Sequence, residues 1–312
     1  TCNLFTNIHY TMSISRQNLT IVIVTIKSEK IIHQCIKSIN ENLPIIVIEN
    51  SNNAKFKEEL EKKYKNINCI LTSENLGMGS ANNLGIKKSS TDYVLVINPD
   101  VILNHDTIDK LILASENISN FSIISPISEN IDYPNYQLDN NQKILMHDNL
   151  PFKVKSVDGY AMLFNKKKID LILENESLNF NNNYFDENFF MYLENNDLCK
   201  RIINKNGYIY VVPSAKINHL GGKTVDQKYN NEIELSRNWH WIWSKFYFNK
   251  KHFGFFNAFV IGFPKFFLTI FKYLFFFITN NKFKKKIYYN RLSGFLNALI
   301  GKPSWYRPKF ED

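Results

Sequence analysis

The sequence is poor in the residues that build metal clusters, disulfide frameworks and dinucleotide loops. Its four cysteines, Cys2, Cys35, Cys69 and Cys199, include no pair at C-x-x-C spacing. That excludes a zinc ribbon or a thioredoxin-type motif and points to reduced, mostly buried thiols in a cytosolic setting. Residues 1–18 have no apolar h-region, so no secretory signal is read there, and Met12 is a candidate natural start. Glycine is sparse, and Gly77-Met78-Gly79 follows the third predicted strand with Asn82 in the sixth position, which excludes the Gly-x-Gly-x-x-Gly dinucleotide fingerprint. Acidic residues are absent from Leu235 to Phe310, where fourteen Lys and Arg occur. The net charge of +9 therefore divides into a strongly basic tail and a mildly acidic remainder, two parts with two jobs.

What is present begins with Leu19 to Thr25, a β-branched run that predicts a first buried strand. Ser28 can cap a helix in which Ile31, Ile32, Cys35, Ile36 and Ile39 recur at helical spacing. Pro44 to Ile48 reads as a second strand ending in Glu49-Asn50-Ser51, Ala54 to Tyr64 as a charged surface helix, and Asn68 to Thr72 as a third strand. After the glycine loop and its helix, Tyr93 to Ile97 is a continuously apolar run of the kind buried on both faces, stopped by Pro99. Four alternations of strand and helix predict a doubly wound α/β sheet. Ligands bind beyond the carboxyl ends of such strands, which delivers Asp100 of Asn98-Pro99-Asp100 to a ligand; an acidic strand-end turn is the plainer alternative.

Further along, Asp106 to Ser115 reads as helix and Phe121 to Ser125 as strand, and the polar, aperiodic stretch Glu129 to Pro151 reads as a loop that can cover a site. Lys155 to Phe164 reads as one strand with Asp158-Gly159 in its middle, an odd position unless substrate passes close. In Tyr184 to Arg201 an aromatic cluster precedes Glu194 and Asp197, which fall on one side of the N-terminus of a helix running from about Asp197 to Lys205. Capping explains that spacing as well as acid–base chemistry does. Tyr208 to Val212 predicts a last strand, and Pro213 to Gly222 brings His219 to a glycine turn.

Taken in order, these motifs resemble the inverting family 2 glycosyltransferases: Thr25, Glu49-Asn50-Ser51, Asn75-Leu76-Gly77 with Ala81 to Gly85, Asn98-Pro99-Asp100, Asp158-Gly159, Phe185 to Arg201, and His219. Within that family a rhamnosyltransferase-like branch is closest. The resemblance covers about 19–225 and implies the GT-A fold, a Rossmann-like mixed sheet with helices on both faces. A nucleotide half, 19–104, would adjoin an acceptor half, 105–225, after a flexible extension, 1–18. The resemblance further implies transfer of a sugar, a deoxyhexose such as rhamnose included, from a nucleotide-diphosphate donor to a lipid-linked or polysaccharide acceptor in cell-surface glycan synthesis. Carried over residue by residue, Thr25, Glu49, Asn75, Gly77, Asn98, Asp158 and Gly159 would contact the nucleotide sugar. Asp100 would be the surviving carboxylate of a DxD-type site for Mg²⁺ or Mn²⁺, with His219 as a further ligand, and Glu194 or Asp197 would be the base. The chemistry asks for such groups: an ion takes up charge on the leaving diphosphate, and a carboxylate accepts the proton of the attacking hydroxyl. The chain departs from the family pattern at Ile26-Lys27, where Tyr-Asn is usual, at Glu49, where Asp is usual, and at Asn195, where Asp is usual. The last places the base at Glu194 with Asp197 second, and leaves a non-catalytic, membrane-docked scaffold of the same fold as the alternative reading.

Region 226–312 reads as a basic, aromatic, helical arm. Phe253 to Ile278 is almost wholly apolar, whereas Lys265, Thr269 and Lys272 interrupt it at i, i+4 and i+7. A spanning helix needs about 20 consecutive apolar residues. The polar stripe favours a helix lying in the membrane interface, with Lys282 to Lys286 on anionic headgroups; a spanning helix and an arm packed on the domain or a second subunit are the alternatives. The expected location is cytoplasmic, peripheral on the inner face of the plasma membrane. Aromatics interleaved with cations from Arg237 to Phe248 also suit nucleic acid, but the phenylalanine run argues against that partner. Nothing in the sequence sets the oligomeric state.

Overall fold

The computed structural model describes residues 14–39, 42–118, 120–130, 132–139, 149–174, 184–222 and 225–310. Most of the N-terminal extension, Cys2 and Met12 among it, and part of the Glu129 to Pro151 stretch lie outside these.

The apolar runs form the centre of a mixed sheet. Strands β1 (Leu19–Thr25), β2 (Ile45–Glu49), β3 (Ile67–Leu71) and β4 (Tyr93–Ile97) are parallel in the order β3-β2-β1-β4, and β1, β2 and β4 are buried along their whole length. Alternate side chains serve opposite faces, as the pleat requires. Ile21, Ile23 and Leu95 join one core with helices α1 (Ile32–Ile39), α2 (Ala54–Lys63) and α4 (Thr107–Asn117). Val22, Val24, Val94 and Val96 join a second core with α3 (Met78–Lys88), α5 (Lys166–Leu173) and α6 (Glu194–Asn204).

Beyond β4 the sheet becomes mixed. It continues through β10 (Ala161–Asn165), β6 (Ile123–Ser128), β11 (Ile209–His219) and β5 (Val101–Leu103) in that order, with β8 (Phe152–Lys153) beside β11. This is the mixed sheet that the resemblance implies: β10 runs antiparallel to both β4 and β6, outside the parallel half that the apolar runs mark. Lys155 to Phe164 is not one strand. Ser156–Val157 (β9) pairs with Tyr136–Gln137 (β7) in a separate ribbon, the chain turns at Asp158 to Tyr160, and β10 begins at Ala161. The turn is pinned from both sides, by Asp158 N–H donating to Asn135 O at 2.8 Å and Asn98 N–H donating to Tyr160 O at 3.0 Å. The last strand also outruns its expected end, continuing from Val212 to His219 through a register shift between Val212 and Lys216. Pro213 sits in that irregularity, where a missing N–H removes no ladder bond.

The basic arm consists of α7 (Asn230–Phe253), α8 (Phe255–Ile278) and α9 (Lys282–Leu299) around a small core of Trp239, Trp243, Phe246, Ala258, Phe295 and Ala298. Of the polar stripe of α8, Thr269 turns inward, whereas Lys265 and Lys272 keep exposed surface. Thr269 is buried, Lys265 lines a cleft with Lys245 of α7, and Lys272 Nζ lies 5.7 Å from the Tyr288 ring centre on α9. Beside those two lysines α8 exposes large apolar side chains, with Phe256, Phe271 and Ile278 between 67% and 82% accessible.

Gly85 is where α3 crosses the sheet most closely: a Cβ there would lie 2.4 Å from Val22 Cγ1. We expect Gly85→Ala to destabilise the domain by about 1–3 kcal/mol through overpacking, measured as a lowered denaturant midpoint with unchanged slope.

Candidate active site

Three strand ends converge on Asp100. The Asn98-Pro99-Asp100 turn closes with Val101 N–H on Asn98 O at 3.1 Å, and Leu220 N–H donates to Asp100 O at 3.0 Å, tying the turn to the end of β11. Asp100 is buried, with its Oδ1 3.4 Å from His219 Nε2. The Tyr160 ring stacks on the His219 imidazole at 3.9 Å between centroids. Burial raises the Tyr160 phenol, with the charges of Asp158 and Asp100 adding to it. Burial likewise raises Asp158, against an opposing pull from His219; Asp158 keeps exposed surface, so that upward pull is tempered by solvent. Asp100, Asp158, Tyr160 and His219 are one neighbourhood.

The glycine loop forms a second wall. Thr25 and Glu49 are fully buried at the ends of β1 and β2, and Glu49 turns back on its own loop, Oε1 accepting from Ser51 N–H at 3.1 Å and Oε2 from Asn53 N–H at 2.6 Å. Asn75 Oδ1 accepts from Gly77 N–H at 3.1 Å and from Asn50 Nδ2 at 3.0 Å. Gly77 has φ +81°, and a Cβ there would lie 2.3 Å from Phe190 O, the carbonyl that accepts Met78 N–H at 2.9 Å. Only glycine suits both demands. Asn83 holds the same aromatic segment, donating to Phe185 O at 2.8 Å while accepting Phe185 N–H at 2.9 Å.

That segment delivers Glu194. Helix α6 starts there, a turn earlier than the periodicity indicated, after Tyr192 and Leu193 at φ +72° and +68°. Consecutive left-handed non-glycine residues are costly and cluster at functional sites. Glu194 Oε2 is buried and has no hydrogen-bond partner among the described residues. Burial pushes its carboxyl up to about 7; its own backbone N–H opposes the shift and the charge of Asp197 adds to it. Asp197 is a contrast. Arg201 Nε lies 2.9 Å from its Oδ2, and Lys251 Nζ and His252 Nε2 lie 2.7 and 2.8 Å from its Oδ1. Burial alone would raise Asp197, but the His252 hydrogen bond and the Arg201 and Lys251 charges outweigh it and hold the carboxyl below its ordinary value. Asn195 Nδ2 donates to Val157 O at 2.8 Å and its Cβ stands against Gly159, so the start of α6 abuts the turn that carries Asp158 and Tyr160. The site's two sides meet through that turn.

Residues 20–173 match the family model for glycosyl transferase family 2. That part of the chain is similar to a family 2 glycosyltransferase domain. The chain is 27% identical over 226 residues to the low-salt glycan biosynthesis hexosyltransferase Agl10 of Haloferax volcanii, covering 67% of this chain and 69% of that one. Among solved structures it is similar to GalNAc-T7 crystallised with UDP, GalNAc and Mn²⁺, with a TM-score of 0.51 at 14% identity over 65% of this chain. It is also similar to the mannosyltransferase PcManGT of Pyrobaculum calidifontis in complex with GDP-Man and Mn²⁺, with a TM-score of 0.50 at 11% identity over 72% of this chain. The chain spans 43% and 62% of those two proteins, and at such identities the likeness is one of fold: the GT-A arrangement.

The Asp100 carboxylate is a donor that suits a hard divalent ion such as Mg²⁺ or Mn²⁺, which takes few protein ligands and completes its shell with substrate phosphates and water, and the His219 imidazole lies beside it as a second donor. Among the described residues no group of three or more His, Cys, Asp or Glu side chains comes together as a self-sufficient cage. Sequence reasoning missed the groups on α7 that reach the 184–197 segment: Ser244, Tyr247, Lys251 and His252. The signal was there, because Ser244, Tyr247 and Lys251 recur at i, i+3 and i+7 on one helix face. With Glu194 as the base, the carboxylate is the active form. We therefore expect turnover to fall as pH drops through about 7, and Glu194→Gln to lower it by about 10²-fold or more and erase that limb in pH–rate profiles.

Proposed function

We propose that this chain is an inverting transferase that moves a hexosyl or deoxyhexosyl unit from a nucleoside-diphosphate donor to a glycan acceptor built on a lipid or polysaccharide. The observation that carries this reading is Glu194: a half-buried residue whose Oε2 is buried and without a partner among the described residues, its carboxyl raised towards neutral pH, set at a strained helix start beside the turn that also touches Asp100 and His219. The hexosyltransferase relative supports the class of sugar, and the two solved relatives, crystallised with nucleotides and Mn²⁺, support the donor and the ion.

Glu194 accepts the proton of the acceptor hydroxyl as that oxygen attacks the anomeric carbon, and one displacement inverts the centre. Asp197, saturated by Arg201, Lys251 and His252, is a poor second base. Asp100 and His219 are the residues that would hold Mg²⁺ or Mn²⁺, which when bound supplies charge to the leaving diphosphate. Thr25, Glu49, Asn75 and Gly77 form the nucleoside side, with Glu49 acting by shaping its loop, and Asn98, Asp158 and Gly159 face the sugar. Excess thermal stabilisation by UDP or GDP plus Mn²⁺ over either alone is expected in the wild type and lost in Asp100→Asn; equal shifts in both proteins would remove the ion from Asp100.

The arm carries the second half of the proposal, a peripheral position on the cytoplasmic face of an anionic membrane. Helix α8, 24 residues long, is apolar and long enough to cross a bilayer by length and composition, and it meets the outside with phenylalanines. Lys284 and Lys285 of α9 lie over Phe276 and Phe277, so cations flank the exposed aromatic end of the hairpin. The full chain should sediment with vesicles containing phosphatidylserine, and Phe271→Asp with Phe275→Asp should leave it in the supernatant without changing donor binding.

A further inference from the structure

We propose that helix α7 is a clamp for the catalytic base: Ser244, Tyr247 and Lys251 are positioning residues that hold the turn carrying Glu194. The inference rests on the reading of Glu194 as base. Left-handed backbone at Tyr192 and Leu193 persists only where the surroundings impose it. Helix α7 grips the turn before, within and after those residues. Before it, Tyr247 OH donates to Asp186 Oδ2 at 3.0 Å and Lys251 Nζ lies 2.8 Å from the same oxygen. Within it, Ser244 Oγ donates to Met191 O at 2.8 Å. After it, Lys251 Nζ lies 2.7 Å from Asp197 Oδ1, one helical turn beyond Glu194.

A single ammonium thus bridges the two ends of the strained segment, and both carboxylates it bridges are shut away from water. Three ring contacts on the same side of α7 reinforce the grip: Phe189 with Tyr247 at 4.9 Å, Phe190 with His240 at 4.5 Å and Tyr192 with Trp241 at 5.4 Å. The charged and titratable groups around Glu194 are Asp197 on its own helix, with Arg201, Lys251 and His252 acting through it, Tyr192 with Arg237 and Glu234 of α7, and Asp158 on the turn beneath Asn195. Removing the Lys251 charge loosens the turn and leaves Asp197 more negative towards Glu194. Both effects act on catalysis and spare the donor pocket.

The test is Lys251→Met in the full chain, with Lys251→Arg and the near-isosteric Tyr247→Phe. We expect Lys251→Met to lower kcat about tenfold or more with the donor KM changed less than about threefold, the signature of a displaced catalytic group. The acid limb of its pH–kcat profile should move to higher pH, because added negative charge favours the protonated Glu194. Lys251→Arg should restore most of kcat, and Tyr247→Phe should lower it about threefold. A kcat within about twofold of wild type, a loss confined to KM, or an unmoved acid limb would overturn the clamp. Should Lys251→Met fail to fold, Tyr247→Phe and Ser244→Ala decide, and unchanged kcat and pH profile in both overturn it. The two readings separate cleanly: activity surviving in Glu194→Gln sinks the base itself, whereas a dead Glu194→Gln beside fully active Lys251→Met and Tyr247→Phe sinks the clamp alone.

Discussion

Asp186 and Asp197 are carboxylates without access to water, and much of the second half of this molecule is arranged around neutralising them. An unpaired buried ion costs several kcal/mol, and removing one member of a buried pair typically costs about 3–5 kcal/mol. Arg201 serves Asp197 from within α6, and Lys251 serves both carboxylates from α7. Helix α7 is therefore held to the catalytic domain by charge that the domain cannot leave unmatched. The composition changes sharply near residue 235, but the packing does not: the Trp239 and Trp243 core of the arm and the Asp186 cluster lie along the same helix.

The same physics runs in the opposite direction three residues before Asp197. Glu194 sits in the same protein mass but Oε2 lacks a donor among the described residues, so burial wins and its carboxyl rises, while Asp197 is held down by its cations. Neighbouring carboxylates pushed apart in this way take different roles, one a structural ion and the other a group able to exchange a proton near neutral pH. The backbone arranges the rest. Because β10 runs back along β4, the Asp158 to Tyr160 turn is set beside Asn98 and Asp100, and because β11 runs past its bulge to β5, His219 arrives at the same place.

Much of this was legible in the sequence, for identifiable reasons. The buried strands announce themselves as β-branched runs whose burial on both faces leaves no polar alternation, as in Leu19–Thr25 and Tyr93–Ile97. That Asp100 and His219 stand where apolar runs give way to turns was readable too, and the structure brings the two side chains within 3.4 Å. The antiparallel return of β10 was not, since strand direction leaves no mark in Ala161–Asn165 itself; it is set by the Asn135 and Asn98 hydrogen bonds to a turn that the apolar pattern runs straight through. The early start of α6 was hidden for a similar reason. Leu193 takes a left-handed conformation that no local rule assigns to leucine, and the residues imposing it come from a helix more than fifty positions away.

The arm exposes lysine and phenylalanine on one helix, which bears on the surrounding medium. A helix whose three polar side chains share one narrow stripe would, in water, turn that stripe outward. Here Thr269 is buried and Lys265 approaches Lys245 closely enough that, after desolvation, its charge helps lower the Lys245 ammonium, but Lys265 and Lys272 stay exposed beside phenylalanine, leucine and isoleucine. Apolar surface left in water costs roughly 25 cal/mol per Å², and an exposed patch of many large side chains exceeds what monomeric soluble proteins carry. In contact with lipid the sign reverses for the phenylalanines, which gain by facing outward, while lysines at the same surface can extend their ammonium groups to the headgroups. On our reading of the arm, a bilayer surface suits this mixture: the exposed phenylalanines enter the apolar region, and the cations, Lys284 and Lys285 among them, meet anionic headgroups.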